Sequence, residues 1–188
     1  IRAADPNHLV TSGDRGPRPT SRSLRESFPK QVWKGDTLEE HLTSLRNSQP
    51  RPLDVISIHC YGNLDGGYLP GEESTLGLKS VGGLSLRGME LISAFARTAN
   101  AAGMPLFVGE LGQHPPYINE DPEARFACAA IDLAEKEGAD LIAMWVWHFP
   151  PHPKYNVTGS TYPALLKKIS DFNDRHAHGE KSQTLQAR

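Results

Sequence analysis

The apolar residues of this chain fall into four short runs separated by amphipathic stretches. The runs cover residues 8–11, 55–59, 106–108 and 141–147, and their length and β-branched content predict strands. Apolar residues recur at helical spacing over 84–102, over 121–138, from about 162 onward and, more weakly, over 37–46. Strands separated by helices predict βαβ units, and therefore a parallel sheet covered by helices.

Local signals support the ends of two of these helices. Asp121, Pro122 and Glu123 read as an N-cap, a first-turn proline and a first-turn acid. Gly103 follows the helix predicted over 84–102 and is a suitable residue for its C-terminal stop. The glycine-rich stretch 62–83 reads as a long loop after the second strand, and such loops are often functional.

Composition sets the frame for these elements. The 188 residues are 38% hydrophobic, which predicts one domain over 1–175 with a flexible tail over 176–188. A formal net charge of −2 gives no electrostatic reason to expect nucleic acid or an anionic membrane as a partner. No apolar run approaches the roughly 18 residues that a membrane helix needs. Cys60 and Cys128 form no disulfide framework and lack metal-site spacing, so both are expected to be buried thiols.

Chemistry-bearing side chains stand where three of the predicted strands end. The second strand closes with His59 and Tyr61, the third with Glu110, and the fourth with Trp145 and Trp147. Because side chains alternate along a strand, we expect His59 and Tyr61 to share one face, and Trp145 and Trp147 to share one face. In parallel α/β folds the carboxyl ends of the strands carry the chemistry. A carboxylate, polar orienting groups and a flat indole are what a sugar site needs.

Each of these residues also has a plain structural interpretation. Glu110 could be a solvated residue at a strand end, and His59 a hydrogen-bonded core residue. Trp147 is as compatible with packing beneath the last helix as with contact to a substrate. His148 and His152 flank the proline-rich segment 149–151 and could form a metal site with His114, but no carboxylate or thiol completes a ligand set. We therefore expect no metal and no cofactor.

The order His-x-Tyr, Gly-Glu and Trp, each closing a strand, resembles the second half of the clan-A glycoside hydrolases. The likeness is greatest to the family-5, cellulase-like (β/α)8 barrels, and residues 5–11 also resemble the approach to the fifth strand of that family. The resemblance implies a parallel (β/α)4 half of a TIM barrel that spans strands five to eight. It also implies that Glu110 is the nucleophile, that His59 and Tyr61 bind substrate and orient that nucleophile, and that Trp145 is the residue that stacks on the sugar.

The chain departs from the family in its second carboxylate. The family's general acid/base is a Glu preceded by Asn at the end of the fourth strand, whereas the one Asn-Glu pair here, Asn119–Glu120, lies in a predicted loop. Retaining hydrolysis needs two carboxyl groups about 5 Å apart. Glu72, Glu73 or Glu120 folded over the site, or a carboxylate from another chain, are the open alternatives.

Three hypotheses about function follow. The chain could be a glycosidase-derived half-barrel with weak or no hydrolysis of β-linked glycans, one half of an active enzyme completed by a partner chain, or a carbohydrate-binding or structural descendant. Four strands cannot close a barrel, so we expect a homodimer in which strand one of each copy meets strand four of the other, or a complementing half-barrel. The resemblance implies a secreted parent family. This chain opens without a signal peptide, which leaves its compartment open.

Overall fold

The computed structural model describes residues 1, 3–17, 20–62, 88–113 and 124–177. Within these ranges the chain forms five α-helices, three β-strands and one short 3₁₀ helix at Pro153–Tyr155. In chain order the α-helices and strands are α1 (Ser21–Glu26), α2 (Leu38–Ser48), β1 (Ile56–Gly62), α3 (Gly88–Ala101), β2 (Leu106–Gln113), α4 (Arg125–Lys136), β3 (Leu141–Met144) and α5 (Pro163–Ala177). From β1 onward, strands and helices alternate as the hydrophobic pattern predicts.

The three strands form one parallel sheet in the order β1–β2–β3. One face of this sheet packs against the apolar faces of the helices, with α3 in contact with β1 and β2, and α4 in contact with β2. The buried core on this side includes Ile58 of β1, Val108 of β2, Phe95 of α3 and Phe126 of α4. Burial of these side chains supplies the main driving force for the fold.

The predicted helices are present, but their ends differ from the ends that the hydrophobic pattern of the sequence predicts. The weak helical pattern over 37–46 corresponds to α2, whose start is fixed by a capping box in which Thr37 and Glu40 bond to each other's backbone N–H. The proposed cap at Asp121 and the glycine-rich stretch after Gly62 lie outside the described residues. Helix α5 runs to Ala177, two residues into the predicted tail, and Arg175 near its end bonds Glu135 of α4.

The predicted first strand, residues 8–11, is not formed, which corrects the four-strand expectation. This segment runs beside the start of β1, where Asp54 N–H donates to the Val10 carbonyl and the Val10 N–H is taken by the Asp54 side chain. Beyond it, the amides of Gly13, Asp14 and Gly16 bond side-chain oxygens of the same segment. The backbone groups are therefore satisfied locally and do not form a ladder with β1.

The side chain of Gln49 occupies the place that a strand would take at the outer edge of β1. Its Oε1 accepts a hydrogen bond from Ser57 N–H at 2.6 Å, and its Nε2 donates to the Ser57 carbonyl at 2.7 Å. Gln49 is 1% exposed, and the Ser12 hydroxyl donates to the same Oε1. Two residues further on the same edge, His59 N–H donates to the Arg15 carbonyl. The outer edge of β1 is thus closed by a side-chain amide and an irregular segment.

No helix of the described residues is both long and apolar enough to cross a membrane.

Candidate functional site

Glu110 lies inside strand β2, because the strand continues past it to Gln113. This corrects the expectation that the strand stops at the acid. The pairing of β2 with β1 contains a bulge: Ile58 pairs with Val108, whereas the next residue, His59, pairs with Glu110. Gly109 is therefore the extra residue on β2. Gly109, which the sequence suggests lies at a strand end, forms a β-bulge inside the strand, and this bulge changes the direction of the side chain that follows it.

The bulge turns the Glu110 carboxylate toward the face of the sheet that carries His59 and Tyr61. Val108 and Leu111 are fully buried on the helix side, so the two residues between them share the opposite face. A Cβ added to Gly109 would lie 3.1 Å from the Ser57 Oγ and 3.4 Å from the Phe107 ring. The crowding explains why this position carries glycine.

The predicted residues His59, Tyr61 and Glu110 meet at one carboxylate oxygen. The Tyr61 hydroxyl donates a short hydrogen bond to Glu110 Oε2, and His59 Nδ1 lies 3.3 Å from the same oxygen. The His59 and Glu110 side chains are 23% and 32% exposed, so the cluster is open to solvent on one side. Two polar groups therefore hold Oε2, and no described side chain bonds Oε1.

The environment of Tyr61 keeps its phenol protonated. Burial raises the pKa of Tyr61 above its usual value, and the hydrogen bond to Glu110 and the charge of that carboxylate raise this pKa further. Tyr61 is consequently a hydrogen-bond donor at neutral and moderately alkaline pH. It fixes the orientation of the Glu110 carboxylate without competing for its charge.

Trp145 lies beside this cluster and is surrounded by aromatic rings. The centroid of its ring lies 6.0 Å from that of the Tyr61 ring, which it meets edge-on, and 5.4 Å from the ring centroids of Phe149 and of Tyr155. A Cβ added to Gly112 would lie 2.9 Å from the Trp145 carbonyl oxygen and 3.2 Å from the Tyr61 ring. The peptide bond from Trp145 to Val146 is cis. The ring contact with Tyr61 places Trp145 next to that residue.

Sequence reasoning missed Phe149 and Tyr155 as members of this aromatic cluster. Both rings follow β3 in a loop closed by bonds between Val146 and the 155–157 segment and by a 2.6 Å bond from Phe149 N–H to Asn156. Their only signal in the sequence is aromatic character in the loop after the last strand. Their contact with Trp145 depends on how that loop folds back, which no local pattern specifies.

Trp147 does not share a face with Trp145, which corrects the expectation from strand alternation. Strand β3 ends at Met144, so the alternation no longer applies at these positions. Trp147 is 66% exposed and borders a groove with Ile142 of β3 and Ile169 of α5. The structure brings four of the five predicted site residues together and places Trp147 elsewhere.

The histidines and cysteines of the described residues form no metal-ligand cluster. No three His, Cys, Asp or Glu side chains come together within the described ranges. His152 packs against the rings of Phe149 and Tyr155 at 5.6 and 5.7 Å, while His114 lies outside the described part of the chain. Burial raises the pKa of the Cys60 thiol to about 12, and Cys128 is half-buried, not fully buried as expected.

Glu110 is the carboxylate that bonds the Tyr61 hydroxyl, and its charge raises the pKa of that phenol. Glu72, Glu73 and Glu120, the candidates left open by the sequence, lie outside the described residues. The geometry therefore defines a positioned carboxylate with its orienting groups and an aromatic wall.

Comparison with known proteins supports the fold. No family model and no curated protein matches the chain. Among solved structures, the chain is similar to the endo-β-1,4-mannanase from Thermotoga petrophila, with a TM-score of 0.53 and 17% sequence identity. The similarity covers 96% of this chain and 38% of the mannanase chain. The parallel sheet with its helices therefore has the fold of a partial (β/α)8 barrel, and the predicted half-barrel architecture is confirmed, with three strands formed among the described residues in place of four.

Proposed function

We propose that this chain carries the nucleophile side of a retaining glycoside hydrolase site for β-linked glycans. The observation that carries the proposal is the convergence of Tyr61 and His59 on Oε2 of Glu110. A carboxylate held through one oxygen presents the other, Oε1, in a fixed direction. Such a group is suited to attack an anomeric carbon from one face of a sugar ring.

The chemistry begins with attack of Glu110 Oε1 on the anomeric carbon of a β-glycoside. The bond between that carbon and the leaving oxygen breaks, and the leaving group departs with the electron pair of the bond. The product is a glycosyl ester of Glu110, and water must later hydrolyse this ester to release the sugar. In this proposal Trp145, whose ring contacts that of Tyr61, supports the sugar ring during the reaction.

Turnover of unactivated glycans is expected to be weak or absent. The leaving oxygen of a polysaccharide needs a proton, and general acid assistance supplies about 10² to 10⁴ in rate. The family's Asn-Glu signature is absent from the strand ends of this sequence. Hydrolysis of the ester also needs a base to activate water, so the covalent intermediate should persist.

The fold comparison guides the choice of sugars for the first tests. The similar structure is described as an endo-β-1,4-mannanase, so β-mannosides are the first substrates to try and β-glucosides the second. The aromatic wall of Trp145, Phe149 and Tyr155 suits a pyranose face and does not by itself choose between the two sugars.

Activated aryl glycosides test the proposal directly. With 2,4-dinitrophenyl β-mannoside or β-glucoside the leaving phenolate needs no proton, so we expect a rapid release of up to one dinitrophenolate per chain. Intact-mass spectrometry should then find one added hexosyl group, located on Glu110 by peptide mapping. Glu110→Gln should remove both signals, and Tyr61→Phe should slow the release. If neither sugar gives a burst or an adduct, Glu110 is not a nucleophile.

A second candidate function is carbohydrate binding without turnover. It is favoured by the same aromatic wall, since a wall of this kind binds sugars whether or not an acid/base residue is present. Calorimetric titration with β-1,4-linked manno- and gluco-oligosaccharides separates the two functions. Binding that survives in Glu110→Gln, together with no burst in the parent chain, would support this alternative.

A further inference from the structure

The two outer edges of the sheet are finished in different ways. At the edge of β1, the backbone groups of Ser57 are bonded to the buried Gln49 amide and His59 N–H to the Arg15 carbonyl. The 10–16 segment beyond it is turned on itself by side-chain bonds to its own amides. This edge cannot offer a strand to a partner, and closed edges of this kind protect sheets from association.

Among the described residues, nothing protects the outer edge of β3 in this way. Asp140 N–H donates to the Leu106 carbonyl of β2, and backbone groups of successive residues in a strand point to opposite edges. The N–H groups of Leu141 and Ala143 therefore point away from β2, and no other strand of the described residues pairs with β3. The strand reads Leu-Ile-Ala-Met, with neither the charge nor the proline that usually blunts an exposed edge.

An apolar groove adjoins this open edge. It has a volume of about 230 Å³, and it is bounded by β3, α4 and α5, with a lining that includes Ile131, Ile142, Met144, Leu166, Ile169 and Phe172. Leu141, at the start of β3, is 45% exposed, and Trp147, on the rim of the groove, is 66% exposed. A continuous apolar surface beside an unpaired strand edge is typical of an interaction site.

We propose that β3 and this groove, together the β3 surface, bind a second copy of this chain about a two-fold axis, with the two β3 strands paired antiparallel. A two-fold contact brings the same surface of both copies together, so a surface with charges of one sign would repel itself. The groove lining contains no charged residue. The neighbouring charges of α5 are paired with α4, through Lys168 with Asp132 and Arg175 with Glu135.

The closed edge of β1 decides the form of the assembly. The expected dimer, in which strand one of each copy meets strand four of the other, needs a strand that residues 8–11 do not form and an edge that Gln49 blocks. A contact through β3 alone uses the same surface on both copies and closes after two chains. The inference is independent of the proposed glycan chemistry, since none of the residues that carry it contacts Glu110.

Sedimentation of the chain and three variants tests the proposal. Analytical ultracentrifugation from about 1 to about 200 µM should show a monomer–dimer equilibrium in the parent chain. Ala143→Pro removes an outward N–H and keeps the β2 ladder, and Ile169→Glu places a charge in the groove. Each should weaken dimerisation by at least about tenfold. Ser170→Glu, on the exposed side of the same helix, is the matched control and should dimerise like the parent.

Circular dichroism of each variant establishes that it is folded, and hydrogen exchange locates the contact. The amides of Leu141 and Ala143 should exchange more slowly as protein concentration rises. A folded parent chain that stays monomeric over the whole range would overturn the proposal, as would a dimer that tolerates both Ala143→Pro and Ile169→Glu. Protection of β3 that appears only on adding a chain with the other strands of a barrel would identify a complementing half-barrel as the occupant in place of a second copy.

Discussion

Gly109 and Glu110 are consecutive residues of β2, yet both lie on the face of the sheet opposite the helices. The bulge at Gly109 produces this relationship by changing the alternation of side chains between Val108 and Leu111, which both remain in the core. In a regular strand Glu110 would point among the helices, where an unpaired carboxylate is costly. The glycine therefore determines whether the acid meets His59 and Tyr61.

Gly109→Ala should destabilise the protein and disturb the acid. The added Cβ would lie 3.1 Å from the Oγ of Ser57, a fully buried residue, so this side chain would have to shift within the packed interior. We expect a loss of about 1–3 kcal/mol in the free energy of unfolding, as for other overpacked sites, measured by urea denaturation. Gly159→Ala is the control, because its Cβ would meet nothing closer than Leu166 at 3.8 Å. Equal effects of the two substitutions would argue against a crowded bulge.

Gln49→Leu should be among the most damaging substitutions outside the site. Leucine keeps most of the volume but leaves the buried N–H and C=O of Ser57 without the partners that Gln49 provides at 2.6 and 2.7 Å. Each buried polar group left unbonded costs about 1–3 kcal/mol, so we expect the free energy of unfolding to fall by about 2–4 kcal/mol. Ser12→Ala removes only the 3.3 Å bond to Gln49 and should cost less than about 1.5 kcal/mol. A mild effect of Gln49→Leu in chemical denaturation would show that water replaces the amide.

The alternation of strands and helices was predictable because it depends on local periodicity. Residues 55–59 and 106–108 are β-branched or apolar runs, and α5 carries its buried residues at helical spacing. The cluster of His59, Tyr61 and Glu110 was predictable for a related reason. In parallel strands the polar residues that follow apolar runs come together at one end of the sheet.

The errors come from interactions between residues distant in sequence. Residues 8–11 have the composition of a strand, but Gln49, 37 residues after Ser12 along the chain, competes for the backbone groups of β1. The bulge at Gly109 is a property of two paired strands and not of either one. The exposure of Trp147 depends on where β3 stops, and strand ends are set by pairing with β2, which the hydrophobic pattern does not specify.

Tyr61 should make stability depend on alkaline pH. Its pKa is raised in the folded protein by burial and by Glu110, so above about pH 10 the unfolded chain loses this proton while the folded chain keeps it. The free energy of unfolding contributed by Tyr61 is therefore fully present below that pH and falls as pH rises. Urea denaturation from about pH 9 to about pH 11 should show a shallower decline in Tyr61→Phe than in the parent chain. Parallel curves would mean that Tyr61 ionises normally.

Trp145 and Trp147 should differ in their contributions to stability, with the larger contribution from Trp145. Trp145 is half-buried and contacts three aromatic rings, whereas Trp147 is 66% exposed. Truncation of a packed tryptophan costs about 3–5 kcal/mol, so a half-buried one should cost about 2–4 kcal/mol. Trp147→Ala should cost less than about 1 kcal/mol in the monomer, as surface substitutions do.

The same pair of variants distinguishes a sugar platform from a surface aromatic. Trp145 lies against Tyr61, the residue that holds Glu110, so Trp145→Ala should weaken binding of β-1,4-linked oligosaccharides in calorimetric titrations. Trp147→Ala should leave that affinity unchanged, because Trp147 lines the groove between β3 and α5. Trp33→Ala provides the control for loss of an exposed indole, since Trp33 is 52% exposed. Equal loss of affinity in Trp145→Ala and Trp147→Ala would place the sugar away from Glu110, because a sugar bound beside that acid would not contact both indoles.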